Sequence, residues 1–378
     1  MDGRAMTNTA SFAHVPVVVL VEAGDAQRAQ IRDALHPFYR VVEYRDCNAA
    51  FYGLMAAGRE PVAAVVVDEK SLPRGGFDFV RDVRREPALR GLPVVFTAKG
   101  RKGAEAARQG GADRFLLKPY RRSQLLSAVA ALVNRAALRR WEALPPAPRA
   151  ALLGTAGVFA AIDKAGGGGH IAYAEVSGAC AAVVDAVVGG GYRAILDGVK
   201  EHDDYSYAHS LRVSTLLSLL GHAVGLGQED MRTLASGGLL HDVGKLDIPL
   251  EVLNKPGRLD DAEFAVMRGH VPASVARLAM SGVPRSVVAM AAEHHEKLDG
   301  SGYPKGLKGA QISELARLVA IVDVFGALTD RRVYKAPMAA AAALGVMADA
   351  MGGHLDQGYL RLFREVLLDS EADAPASA

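Results

Sequence analysis

The chain has 378 residues, half of them hydrophobic, with 44 Lys plus Arg against 42 Asp plus Glu and a formal net charge of +2. A chain of this length can bury more than one core, and the composition excludes a disordered or fibrous protein. The near balance of charge gives no general ground for nucleic acid or an anionic membrane as a partner, so any phosphate binding has to be local.

Two cysteines, Cys47 and Cys180, stand far apart and outside any CxxC spacing. That argues against a disulfide framework or a zinc knuckle and fits a reducing cytoplasm. The opening MDGRAMTNTASFAHVP lacks a basic segment followed by a long apolar run, and no stretch of about 20 uninterrupted apolar residues follows. Neither a secretory signal nor membrane insertion is expected.

Residues 17 to 120 alternate short β-branched runs with helical patterns: VVVLV at 17–21, VVEY at 41–44, VAAVVV at 62–67, PVVF at 93–96 and RFLL at 114–117. Five buried strands separated by helices predict a parallel, doubly wound sheet. Sites in such sheets lie at the carboxyl ends of the strands, which singles out Glu22, Asp68, Thr97 and Lys118. This set suits phosphoryl chemistry on a carboxylate, with Asp68 as nucleophile, Thr97 and Lys118 on the phosphoryl oxygens, and Mg²⁺ held by the acids.

The VVVDEK stretch with Asp68, FTA with Thr97 and LLKPY with Lys118 and Pro119 resemble the receiver domain of bacterial response regulators. The resemblance covers residues 15–138. It implies a flavodoxin-like fold with strand order 2-1-3-4-5, and a cognate sensor histidine kinase as phospho-donor. Receivers usually carry two adjacent acids after the first strand, whereas VEAGD here places Ala23 after Glu22. A missing carboxylate is expected to weaken Mg²⁺ binding.

A basic helical stretch, 121–143, is followed by LPPAPRA, whose prolines mark a linker. Residues 150–192 are Ala and Gly rich, and 139–192 predict linker and packing helices without a ligand cluster. From 193 to 368 the apolar spacing is helical nearly throughout, as in LRVSTLLSLLGHAVGL and ELARLVAIVDVFGAL, and predicts an all-α bundle, with a disordered tail at 369–378.

That bundle carries a recurring set of histidines and aspartates: His209, His241 with Asp242, His270, His294 with His295, and Asp323, at steps of 32, 28, 24 and 28 residues. Each step is long enough for one helix to leave and another to return, so the side chains can converge in a bundle core. One buried histidine is ordinarily a hydrogen-bonded core residue; the set points to metal. Adjacent residues on a helix face about 100° apart, so His241-Asp242 and His294-His295 serve one site most easily if it holds two metals or lies at a helix end. Imidazole and carboxylate without thiolate suit Fe, Mn, Zn or Ni, and a bridging Asp242 suits two-metal phosphoryl displacement.

HDVGK at 241–245 and HHEKLDGSGYPKGLKG at 294–309 resemble the HD-GYP branch of the HD superfamily of metal-dependent phosphohydrolases. The resemblance spans about residues 193–368 and implies hydrolysis of cyclic di-GMP to linear pGpG, with GMP as a further product. It implies His209, His241, Asp242, His270, His294, His295 and Asp323 as ligands of two divalent ions, Fe or Mn. It further implies Asp242 and Lys245 as catalytic residues, and Gly302, Tyr303, Pro304, Arg332 and Lys335 as substrate contacts. Some relatives hold a third metal on a glutamate four residues before the first histidine; here that position is Tyr205. Gly326 stands where relatives commonly have aspartate, and RRVY at 331–334 replaces a more usual aspartate-arginine-proline-tyrosine run.

The expected protein is a homodimeric response regulator that hydrolyses cyclic di-GMP in the cytoplasm, without DNA as a partner. A binding protein that senses cyclic di-GMP and engages a GGDEF-type synthase through its GYP surface is the alternative. An HD hydrolase of other nucleotides is a third reading, disfavoured because such enzymes do not need the GSGYP loop.

Overall fold

The computed structural model describes residues 16–56, 62–100, 103, 105, 108–166, 170–200, 202–253, 255, 257–330 and 337–372. Two compact units divide the chain: Met1–Arg140 with Glu201–Asp204, and Trp141–Lys200 with Tyr205–Ala378.

In the first unit β1 (Val17–Val21), β2 (Arg40–Tyr44), β3 (Val62–Asp68), β4 (Val94–Ala98) and β5 (Arg114–Leu117) form one parallel sheet in the order 2-1-3-4-5. The connecting helices include α1 (Asp25–Leu35), α2 (Cys47–Ala56) and α3 (Gly76–Arg85), and α4 (Arg122–Trp141) follows the last strand. β1, β3 and β4 are buried along nearly their whole length, as their continuous apolar runs require of strands covered on both faces. Val18, Leu20 and Val66 pack with Ile31 of α1 and Leu125, Val129 and Leu132 of α4 on one face; Val19, Val65 and Phe96 pack with Leu54 of α2 and Phe79 of α3 on the other.

The second unit is helical among the described residues: α5 (Pro146–Ala165), α6 (Tyr173–Val188), α7 (Tyr192–Val199), α8 (Tyr205–Ala223), α9 (Gln228–Leu240), α10 (Leu250–Leu253), α11 (Asp261–Arg268), α12 (His270–Ala279), α13 (Arg285–Glu293), α14 (Glu314–Thr329), α15 (Ala340–Ala350) and α16 (Gln357–Ala372). The prolines expected to mark a linker begin a helix: Pro145 caps α5 and Pro146 is its first residue, where a missing N–H costs nothing. The final helix continues to Ala372, past the boundary expected at 368. Among the described residues no helix is long and apolar enough to cross a membrane.

Candidate metal centre

α9 runs apolar to its end, where His241 is the C-cap, and Asp242 (φ −107°, ψ 12°) leads into the 3-10 turn Val243–Asp247. Gly244 lets that turn rest directly on α12. A Cβ there would lie 2.2 Å from the His270 carbonyl oxygen, and the Gly244 N–H donates to Ser274 Oγ at 2.8 Å. The contact sets Asp242 beside His270, the first residue of α12. His294 caps the C-terminus of α13, with His295 next, while His209 lies inside α8 and Asp323 inside α14. Five of the seven residues therefore sit at a helix end or immediately beyond one, where adjacent side chains are free of the 100° constraint.

The seven residues form two overlapping groups. Asp242, His270, His294 and His295 make one; His209, His241, Asp242 and Asp323 make the other; in each, one ligand atom per residue lies within 4.8 Å of the rest. Asp242 belongs to both. Its Oδ1 is 3.2 Å from His270 Nε2 and 3.6 Å from His294 Nε2, and its Oδ2 is 3.3 Å from His241 Nε2.

Whether the groups fit metal is tested by their hydrogen bonds. The His241 Nδ1 proton is donated to the Gly238 carbonyl at 2.8 Å, that of His270 to Met267 at 2.7 Å, and that of His294 to Ala291 at 3.0 Å. A carbonyl can only accept, so in each neutral ring Nε2 is the lone-pair nitrogen. Those three Nε2 atoms and Asp242 Oδ1 are buried without a hydrogen-bond partner. A buried unpaired polar atom costs about 1–3 kcal/mol, and four converge here; divalent cations would satisfy them together. The donor set, imidazole and carboxylate, suits divalent transition metals.

The charges divide unevenly. Burial disfavours imidazolium at His241, but Asp242 and Asp323 outweigh it and raise its pKa to about 10. Burial would raise the Asp242 carboxyl, yet Lys245 and His241 hold it well below the usual range, and His209 and His241 do the same for Asp323. Burial, reinforced by neighbouring histidines, depresses His294 and His295. Lys245, carried by the 3-10 turn, pairs with Asp242 Oδ2.

Gly302, Tyr303 and Pro304 lie in the loop after α13. Gly302 is required by space, since a Cβ there would meet Lys297 N at 2.4 Å. The buried Glu296 carboxylate fastens the loop by accepting from Lys305 N at 2.7 Å and Leu307 N at 3.0 Å. The Tyr303 ring lies 4.8 Å from that of His295, and the Arg268 guanidinium sits 4.9 Å from the Tyr303 centroid and 4.7 Å from that of Phe264. Arg332 and Lys335 fall outside the described residues.

In the first unit, Glu22, Asp68, Thr97 and Lys118 are brought together as expected of strand ends. Thr97 Oγ1 donates to Asp68 Oδ2 at 2.9 Å, and Lys118 Nζ lies 2.5 Å from Asp68 and 3.3 Å from Glu22. Burial would lower Lys118, but Asp68 and Glu22 hold it above its ordinary value. Asp25, close in sequence to the missing second acid, pairs with Arg28 and, at 3.2 Å, Arg45.

Sequence reasoning missed Glu296, Phe264, Arg268 and Asp330. Phe264 and Arg268 are spaced i,i+4 on α11, and Asp330 stands two turns beyond Asp323 on the same helical face; both spacings were visible. Glu296 was hidden, because a glutamate after two histidines carries no sign that its partners are amides of a loop.

Residues 195–358 match the family model described as HD domain. The chain is 42% identical over 167 residues to the cyclic di-GMP phosphodiesterase PA4108 of Pseudomonas aeruginosa, covering 44% of this chain and 40% of that protein. It is 39% identical over 159 residues to the 3'3'-cGAMP-specific phosphodiesterase 1 of Vibrio cholerae, covering 42% of this chain and 37% of that one. The chain thus spans about two fifths of the length of these two relatives. Against the cyclic di-GMP phosphodiesterase response regulator RpfG of Xanthomonas campestris the identity is 29% over 348 residues, 90% of this chain and 84% of the relative. The similarity to the HD domain family thus falls on residues 195–358 of the helical unit, which follow a unit built on a five-stranded parallel sheet in the order 2-1-3-4-5.

Proposed function

We propose that the protein is a cytoplasmic response regulator whose HD domain hydrolyses cyclic di-GMP to linear pGpG under control of its receiver. The observation that carries this reading is the pair of ligand groups sharing Asp242, with unpaired Nε2 atoms turned inward, in a segment similar to cyclic dinucleotide phosphodiesterases.

His209, His241, Asp242 and Asp323 would hold one divalent ion, Fe or Mn, and Asp242, His270, His294 and His295 a second. When bound, such ions acidify water and neutralise charge for in-line displacement at phosphorus. Lys245 brings an ammonium beside Asp242, placed to offset charge developing on the leaving oxygen. Tyr303, braced between His295 and Arg268, offers a flat face to a guanine base. Gly302 and Pro304 shape that loop, and Arg332 and Lys335 supply phosphate contacts.

In the receiver, Asp68 is the phosphate acceptor, Thr97 and Lys118 contact the phosphoryl oxygens, and Glu22 helps hold Mg²⁺. The donor is a sensor histidine kinase. A homodimer and GGDEF-type synthases complete the proposed partners, and phosphorylation acts by biasing access to the metal groups.

The test is a product assay on anaerobically purified full chain of known metal content, with cyclic di-GMP and 3'3'-cGAMP as parallel substrates, with and without Mn²⁺ or Fe²⁺. Metal-dependent pGpG is expected, with cyclic di-GMP the faster substrate. Tight binding without product, in protein holding two metals, would overturn catalysis in favour of a sensor that engages partners through the GYP surface.

A further inference from the structure

His241, His270 and His294 settle their ring orientation with backbone carbonyls three residues back, which is open to them because each stands at a helix terminus. His209 is in the body of α8, where the neighbouring carbonyls serve the helix itself. Its Nδ1 instead meets Asp330 Oδ2 at 2.8 Å, while its Nε2 faces Asp323 Oδ1 at 2.9 Å.

Asp330 is the C-cap of α14, with its side chain 11% exposed. Its other oxygen is held by Arg212 Nη1, and Arg212 Nη2 donates to Thr329 Oγ1 at 3.2 Å. Gly326, one turn earlier, leaves this edge of the imidazole clear: a Cβ there would lie 3.1 Å from His209 Cε1 and 3.7 Å from Asp330 Oδ2.

We propose that Asp330, anchored by Arg212, is the positioning residue for His209. It accepts the Nδ1 proton, fixes the tautomer and directs Nε2 into the group shared with His241, Asp242 and Asp323. The inference rests on the two-metal reading above. A carboxylate on the far nitrogen makes imidazole a stronger ligand than a carbonyl does, so the device acts on one of the two ions.

The experiment uses the full chain, stripped with chelator and titrated with Mn²⁺, the free ion being followed by electron paramagnetic resonance. Wild type is expected to bind two ions. Asp330→Ala should weaken one of them about 10–100-fold, the usual cost of losing such a partner, and leave the other at wild-type affinity. Asp330→Asn, which keeps an acceptor but not the charge, should fall between. Unchanged affinity for both ions in folded Asp330→Ala overturns the proposal, as does equal weakening of both, which marks a merely structural role. If circular dichroism shows Asp330→Ala unfolded, Asp330→Asn decides, and wild-type affinity for both ions overturns it. Wild type that takes up no Mn²⁺ instead refutes the metal reading itself.

Discussion

The strand-end site of the first unit and the histidine–aspartate centre of the second both gather acids and bases in a confined place, and they treat charge in opposite ways. At the strand ends of the first unit, Lys118 bridges Asp68 and Glu22, and Thr97 donates to Asp68, so the acids are paired from within. In the second unit three imidazole nitrogens and one carboxylate oxygen converge unpaired. A site balanced by its own side chains suits a group that comes and goes, such as a phosphoryl. A site left with buried, unpaired polar atoms suits a resident ion, whose binding energy offsets the cost of burying them.

The sharpest way to break that contrast is to remove the shared carboxylate. Asp242→Ala takes a ligand from both groups, so metal content should fall from two ions toward none and turnover by on the order of 10³-fold or more. Elemental analysis and the product assay check this, and melting by circular dichroism confirms the fold. A variant holding two ions at wild-type affinity would show that Asp242 bridges nothing.

Metal removal comes next. If only the HD centre depends on a resident ion, chelation should lower the unfolding transition of the second unit and leave that of the first in place. An ion at 100 times its Kd contributes about 2.7 kcal/mol.

The pH dependence has two signs. In metal-free protein burial is outweighed by Asp242 and Asp323, which raise the His241 pKa to about 10, above the value of about 6.5 expected when unfolded. Its contribution to stability is therefore complete below about 6.5 and lost as pH rises through about 10. In the metal-bound protein the cation must displace that proton, so affinity should rise with pH, by up to about tenfold per unit for one displaced proton. Calorimetric titration with Mn²⁺ at pH 6, 7 and 8 measures this; affinity that falls over the series would refute it.

Much of both units was legible because periodicity reports burial. The continuous runs at 17–21 and 62–67 could only be strands covered on both faces, and the sheet order followed from the receiver resemblance. The clustered histidines and aspartates were legible as types, since buried histidine beside aspartate calls for compensation. What the sequence concealed is how the rings are aimed. Nothing in HDVGK tells that Gly244 lets the turn touch α12, or that Nδ1 of His241 is committed to Gly238. The same holds for Pro146: a proline reads equally as the end of one helix and the first residue of the next, and only packing decides.

The proposed substrate contacts should respond less than the proposed metal ligands. Tyr303→Ala removes a stacking face worth about 1–3 kcal/mol per base, so KM for cyclic di-GMP should rise by roughly 5- to 150-fold with kcat less affected. A fall in kcat at unchanged KM would assign the ring to the chemistry instead. Gly302→Ala should act through the same loop, because its Cβ collides with the backbone of Lys297.

The smallest effect sharpens the first-unit half of the comparison. Ala23 leaves Glu22 and Asp68 as the acids of a site in which Lys118 contacts both, while Asp25 is occupied by Arg28 and Arg45. If internal pairing rather than a resident cation holds that site, Mg²⁺ binds weakly and only in support of the phosphoryl group. Ala23→Asp adds a carboxylate without disturbing β1, which ends at Val21. Because Mg²⁺ affinity follows the number of well-placed oxygens, the variant should bind Mg²⁺ more tightly, by about tenfold or less, and phosphorylate faster from a small-molecule phospho-donor at low Mg²⁺. No such gain, with Asp68→Asn as the unphosphorylated control, would mean that an acid at position 23 cannot reach the ion, and that Glu22 and Asp68 are the whole of its acidic site.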